Sequence, residues 1–169
     1  MPKVDTGNSL LTSVYPASMS SKKGDLLFYG GTGKFYNGFH QQVSSPLPIN
    51  IYPQVALVTN IPGSQELIYI FSTSNSNLSK GKFFSIIYDP KLNRGLGGFV
   101  NGSFSQIPGK FHFLAFSLLD HSNSQDKWLF LVDSNHRANS FLISSTGIAA
   151  SPVVSQDFSV LHRSTQGFS

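Results

Sequence analysis

The sequence predicts an all-β chain of about three antiparallel, propeller-like blades, and three observations carry that expectation. Short aromatic and β-branched runs alternate with clusters of Gly, Pro, Asn, Asp and Ser, which is how strands joined by tight turns read. No stretch carries the 3.6-residue apolar period of a long amphipathic helix. One pattern also recurs, an acidic residue in a polar turn followed by a hydrophobic strand, at Asp25-Leu26-Leu27-Phe28-Tyr29, Glu66-Leu67-Ile68-Tyr69-Ile70-Phe71 and Asp126-Lys127-Trp128-Leu129-Phe130-Leu131. From Leu26 to Leu67 is 41 positions and from Leu67 to Trp128 is 61, within reach of a repeat of ~40–50 residues with one loop insertion. The blade units fall at 10–37, 54–89 and 111–145 of a single domain spanning 1–169. A closed propeller takes about four to eight blades, so the expectation is an incomplete propeller, a segment of a longer protein, or closure as a smaller barrel or sandwich.

In chain order, residues 11–18 predict a first strand, and Lys22-Lys23-Gly24-Asp25 a turn into a strand at 26–29. Gly30-Gly31-Thr32-Gly33 turns into 34–36. A connection punctuated by Pro46, Pro48 and Pro53 leads to 54–59, and Pro62-Gly63 marks the turn before 67–72. The polar stretch 74–82 separates this from 83–88, which a turn at Asp89-Pro90 ends. Gly95 to Gly98 and Pro108-Gly109 flank an irregular piece. Strands are then expected at 111–118, 128–132 and 140–144, with a polar loop at 120–126 and a turn at 133–136; 152–160 can begin another strand set.

Composition narrows the function classes. Charged residues are only 12% of the 169, which excludes disorder driven by high charge. The net charge of +4 is spread without a run of like charges, so nucleic acid is not expected as a partner. Without cysteine there is no disulfide framework, thiolate zinc site or cysteine nucleophile. No apolar run approaches the ~18 residues of a membrane span, and the N-terminus lacks the pattern of a secretory signal peptide.

Candidate chemistry is sparse. Gly30-Gly31-Thr32-Gly33-Lys34 has the outline of a phosphate loop, but Phe28 stands where the first Gly is needed and Phe35 where Ser or Thr is, so it reads as a glycine hairpin turn supplying positive φ. Gly95-Leu96-Gly97-Gly98 likewise reads as a turn. Asp120, Asn123 and Asp126 offer oxygens in one loop but lack the alternate-residue spacing of a calcium loop. His40, His112, His121, His136 and His162 include no pair at zinc-binding spacing. No Gly-X-Ser-X-Gly elbow occurs, and the repeat acids Asp25, Glu66 and Asp126 are explained by turn formation. No cofactor is therefore expected. Phe28, Phe71, Phe84, Phe113, Phe130 and Phe141 are expected to pack between sheets, whereas Tyr29, Tyr36, Tyr52 and Trp128 are the rings able to reach a surface and stack on a sugar. Asn77-Leu78-Ser79 and Asn101-Gly102-Ser103 match the glycosylation pattern and read as polar loops.

The word order of the chain resembles a known family, the β-propeller-like N-terminal region of large secreted Bacteroidetes proteins that end in a type B gliding-motility or type IX secretion sorting domain. The similar segments are Asp25-Leu26-Leu27-Phe28-Tyr29 with Phe35-Tyr36-Asn37 and His40-Gln41, and Gln54-Val55-Ala56-Leu57-Val58 with Pro62-Gly63-Ser64 and Leu67-Ile68-Tyr69-Ile70-Phe71. Ser85-Ile86-Ile87-Tyr88-Asp89 with Gly95-Leu96-Gly97, and Ser144-Ser145-Thr146-Gly147-Ile148 with Ser151-Pro152-Val153-Val154-Ser155, extend it over most of the chain. Departures fall at Gly30-Gly31-Thr32-Gly33, where the family has Thr-Asp-Gly, and at 109–115. The resemblance implies a WD40-like repeat fold in a secreted or cell-surface setting, and no assigned catalytic site.

The expected function is a non-catalytic extracellular or cell-surface binding or scaffold module of a larger secreted protein, presenting loops on a rigid sheet framework to a glycan or a protein. The alternatives are a glycan-acting hydrolase with its active site in a central funnel, and a propeller fragment without independent function. An open stack would leave unpaired strand edges, so self-association is also expected.

Overall fold

The computed structural model describes residues 17–31, 34–44, 54–73, 81–133, 135 and 137–157. The expected all-β character holds, and every strand pairing is antiparallel. The first sheet is a meander of β1 (Ala17–Ser20), β2 (Leu26–Gly31), β3 (Lys34–Asn37) and β4 (Gln42–Val43). The second runs in the order β5 (Gln54–Asn60), β6 (Ile68–Thr73), β7 (Gly81–Asp89), β9 (Ser105–Asp120), β10 (Lys127–Asp133) and β11 (Arg137–Ser144). Short β8 (Gly98–Phe99) pairs with β7, and β12 (Gly147–Ile148) and β13 (Val154–Asp157) both pair with β11.

The second sheet folds on itself along β9. Ser105 to Phe111 pair with β7, whereas Phe111, which pairs on both sides, and Phe116 to Asp120 pair with β10, and the register slips where the partner changes. Pro108-Gly109 stands inside this strand, contrary to the expectation that it bounds an irregular piece before a strand at 111–118. Proline has no N–H for a ladder, and Gly109 (φ +128°) adopts a backbone few other residues enter, so the chain bends without stopping. Counting the two halves of β9 separately leaves three successive four-stranded meanders, with first strands β1, β5 and the second half of β9. β1 lies against β5, and β5 against β9.

Two cores hold the three meanders together. Alternate residues along a strand face opposite ways, so Ile68, Ile70, Ile86 and Tyr88 turn to the first sheet and meet Phe28 and Phe35. Tyr69, Phe71 and Phe83 turn the other way, onto Leu129, Leu131, Phe141 and Ile143. β6 is thus buried on both faces along its whole length, which is the physical reason its sequence is apolar without alternation from Ile68 to Phe71, before the buried Ser72 and Thr73. Ring pairs span both junctions, Phe28 with Tyr88 at 5.0 Å and Phe83 with Phe116 at 5.8 Å.

The recurrent acidic turn is a recurrent structure. Each meander's first hairpin closes with the same pair of backbone bonds: Ser21 N to Asp25 O with Gly24 N to Ser21 O, Ile61 N to Leu67 O with Ser64 N to Ile61 O, and His121 N to Asp126 O with Ser124 N to His121 O. Side-chain oxygens of Ser21, Ser64 and Asn123 accept further amides in the same turns.

Several aromatic expectations are refined. Phe28, Phe71 and Phe141 are buried in the two cores as expected; Phe84 is buried as well, but its ring stacks on Phe104 at 5.1 Å, and Phe130 is only partly buried, on the face of β10 turned away from Leu129 and Leu131. Tyr36, one of the rings read as able to reach a surface, is buried at 8% exposure beneath Tyr29, whose ring stacks on it at 5.0 Å. Gly30 does not take the positive φ expected of a hairpin glycine. It sits in β2, where a Cβ would lie 2.8 Å from the Phe35 ring and 2.9 Å from the Lys34 carbonyl, so close approach is what requires it. The expected strand at 11–16, the polar stretch 74–80, Tyr52, Asn77, His136 and His162 lie outside the described residues, as do the side chains of His112 and Phe113.

Candidate functional site

The site is built where the first two meanders meet, from the connections following β3 and β7. After β7 the chain makes a tight turn at Leu92–Gly95 in which Asn93 (φ 52°, ψ 44°) and Arg94 (φ 61°, ψ 35°) are both left-handed, a conformation Asn tolerates better than Arg. This turn is locked from within. Asn93 Nδ2 donates to the Gly97 carbonyl at 2.9 Å, Gly97 N to Leu92 O at 2.9 Å, and Asp89 Oδ1 accepts the Lys91 amide at 2.8 Å. β8 then returns along β7, and Ser103 fixes the far end by donating to Val100 O and accepting from Ile87 N.

Asn37, the last residue of β3, ties this connection to the first sheet. It is 3% exposed, its Oδ1 accepts the amides of Phe39 and Gln41, and its Nδ2 donates to the Leu96 carbonyl at 2.7 Å, 59 residues along the chain. Clefts open on either side of the tie. The larger, of about 710 Å³, has Gln41, Gln42 and Ser44 along one wall and Asn93, Asn101 and Asp89 along the other. Half-buried Phe99 also lines it, edge-on to Phe35 at 5.2 Å and to Tyr88 at 5.8 Å. The smaller, of about 450 Å³, includes Asp25, Leu27 and Phe39.

Beneath the site, Tyr88 is fully buried and its hydroxyl reaches the Leu27 carbonyl at 3.5 Å. Burial first, and then the neighbouring charge of Asp89, push its phenol up to about 12, so it stays neutral. Gly97 (φ +77°) crosses directly over this hydroxyl, and a Cβ there would fall 1.9 Å from it.

The sequence-derived acids do not converge. Asp25 bonds Ser21 Oγ, Glu66 pairs with Lys91 Nζ at 2.6 Å, and Asp126 accepts from Asn123 Nδ2 at 2.8 Å, each in its own hairpin turn. No two of the three line one of the described clefts. In the loop singled out for oxygen ligands, Asp120 is held by Lys127 at 2.5 Å while Asn123 caps the turn. No group of three metal-ligating side chains occurs among the described residues. His40 (φ 62°) meets the Tyr29 hydroxyl at 3.2 Å, and His121 lies 5.3 Å from the Trp128 ring.

Asp133 is a site the sequence did not mark. It is 7% exposed at the end of β10, beside a cleft of about 310 Å³ with Lys110, Phe111 and Arg137. Burial acts to raise its carboxyl, but the amides of Arg137 and Asn135 and the side chains of Asn139 and Arg137 outweigh that and hold it below the ordinary value of 3.8. The spacing Asp133-x-Asn135-x-Arg137 was the available signal, since Asp side chains commonly accept the amides two and four residues on.

Compared with known proteins, the chain matches no family model, no curated protein and no solved structure. No helix among the described residues is long and apolar enough to cross a membrane.

Proposed function

We propose that this chain is a non-catalytic extracellular or cell-surface binding or scaffold module of a larger secreted protein, with three propeller-like blades. The blade reading is supported by the three face-to-face meanders and by β1, β5 and β9 lying in succession, as the inner strands of neighbouring blades do. The secreted setting and the relation to Bacteroidetes proteins bearing a sorting domain rest on the sequence resemblance. The observation that carries the binding reading is the cleft at the first junction, walled by polar side chains, of which Asp89 alone is charged, on a locked backbone. Asp25, Glu66 and Asp126 are each engaged in separate turns, which favours binding over hydrolysis by paired carboxylates, where the two acids stand within about 10 Å.

The test is to incubate the chain with glycans and follow both binding and new reducing ends. Binding without release is the expected result, and release of reducing ends contradicts a non-catalytic module. Self-association belongs to the same reading, since among the described residues β4 and β5 end their sheets. Light scattering should give a mass above 18.4 kDa that rises with concentration, and a monodisperse mass of one chain at all concentrations contradicts it.

A further inference from the structure

We propose that the larger cleft binds a neutral, hydroxyl-rich glycan. This rests on the binding-module reading and adds the class of ligand and the residues that recognise it. Charge selects the class. Among the described residues Asp89 is the single charged group lining the cleft, and no Lys, Arg or His joins it there, so a phosphate, sulfate or carboxylate entering meets a like charge and no counter-charge in the lining. With no metal-ligating trio among the described residues, recognition runs through direct hydrogen bonds and not through a bridging cation.

The polar groups match adjacent hydroxyls. Gln41, Gln42 and Ser44 on one wall and Asn101 on the other are exposed; the amides of Gln42 and Asn101 each offer a donor and an acceptor in one plane, as a pair of neighbouring hydroxyls also does, while Gln41 Oε1 already accepts from Asn37 Nδ2 at 3.4 Å and leaves chiefly its own amide N–H groups for a ligand. Asp89 Oδ1 is taken by the Lys91 amide, which leaves Oδ2 to accept from a ligand hydroxyl. Val43 and Phe99 are half-buried in the lining and supply apolar surface for the C–H face of a sugar ring.

The walls are fixed before any ligand arrives. The bond from Asn37 to the Leu96 carbonyl sets their separation, and Asn93 and Gly97 lock the loop behind them. Gly97 and Gly98 bring the backbone to the surface where side chains would collide, with Tyr88 Oη at 1.9 Å and Asn93 Nδ2 at 2.7 Å respectively. A site ordered in advance loses little conformational entropy on binding. Its volume of about 710 Å³ falls within the ~300–1,000 Å³ usual for small-ligand sites.

The experiment is titration calorimetry of the full chain with neutral gluco-, manno-, galacto- and xylo-configured tetrasaccharides, with and without EDTA and at low and high salt. At least one should bind, unaffected by EDTA and nearly unaffected by salt. The double variant Gln42→Ala/Asn101→Ala should bind it about thirtyfold more weakly, the effect of losing two hydrogen bonds of about 1 kcal/mol each, with an unchanged thermal transition. Should that variant fail to fold, the near-isosteric Gln42→Glu and Asn101→Asp, read separately, should each weaken binding. The proposal is overturned if no neutral tetrasaccharide binds at about 10 mM, if only acidic saccharides bind and salt abolishes it, or if the variants bind as well as the parent. In that last case the site lies elsewhere and the module reading stands, whereas new reducing ends from the same saccharides would overturn the module reading itself.

Discussion

Substituting alanine for Gly97 should be among the most damaging small changes in the chain, and the reason separates into two parts that can be measured independently. At φ +77° any L-residue incurs the left-handed penalty, about 1–2 kcal/mol. Beyond that, the new Cβ would sit 1.9 Å from Tyr88 Oη and 2.6 Å from Cζ. Tyr88 has nowhere to retreat, because it is fully buried with the Phe28 ring 5.0 Å away and Phe99 at 5.8 Å. Overpacking of this kind costs about 1–3 kcal/mol more, for a total of about 2–5 kcal/mol. Gly102 supplies the control, at φ +73° with nothing within 4 Å of where a Cβ would stand, so Gly102→Ala should show only the backbone part. Urea denaturation of the two variants, followed by circular dichroism, gives the difference directly. If Gly97→Ala is no more destabilising than Gly102→Ala, Tyr88 does not lie under Gly97, and the locked wall of the cleft is wrong.

Other outcomes follow from single features. Asn37→Ala removes the tie to Leu96 and leaves the amides of Phe39 and Gln41 without their acceptor; it should cost about 2–4 kcal/mol in denaturation, and a loss below about half a kcal/mol would show the tie to be unimportant. Asp133 has a native pKa held below its unfolded value, so its stabilisation is complete above the ordinary carboxylate range and is lost as pH falls through the depressed native value. Asp133→Asn should therefore lose about 1–3 kcal/mol at neutral pH, with the gap to the parent narrowing in acid; a gap independent of pH refutes the ionised assignment. Thr73 Oγ1 is buried without a hydrogen-bond partner among the described residues, so Thr73→Val should raise stability by about 1 kcal/mol, and a loss would reveal a partner. Leu129→Ala, fully buried, should cost about 2–5 kcal/mol, and Leu119→Ala, 53% exposed on the far face of the same meander, about nothing.

Strand positions were legible because local chemistry decides them. The runs at 26–29, 54–59 and 128–132 are bounded by turn residues, and the structure extends each by no more than two residues. The repeat was legible for the same reason, since the Asp25, Glu66 and Asp126 turns close through bonds within six residues. The continuity of β9 through Pro108-Gly109 was not, because proline and glycine signal a break locally, and only the change of partner from β7 to β10 makes a bend without a break the better solution. Two-residue strands such as β4, β8 and β12 carry no period to detect. The cleft was invisible for a deeper reason. Asn37 and Leu96 are ordinary loop residues in sequence, and their bond exists only because the first two meanders stack.

Amide chemical-shift mapping of the isotopically labelled chain, titrated with the neutral tetrasaccharide that binds best, addresses the functional claim most directly. Shifts confined to residues 41–44 and 89–101 are the predicted result. Shifts centred instead on Lys110, Asp133 and Arg137, where the charged groups lie, would contradict it.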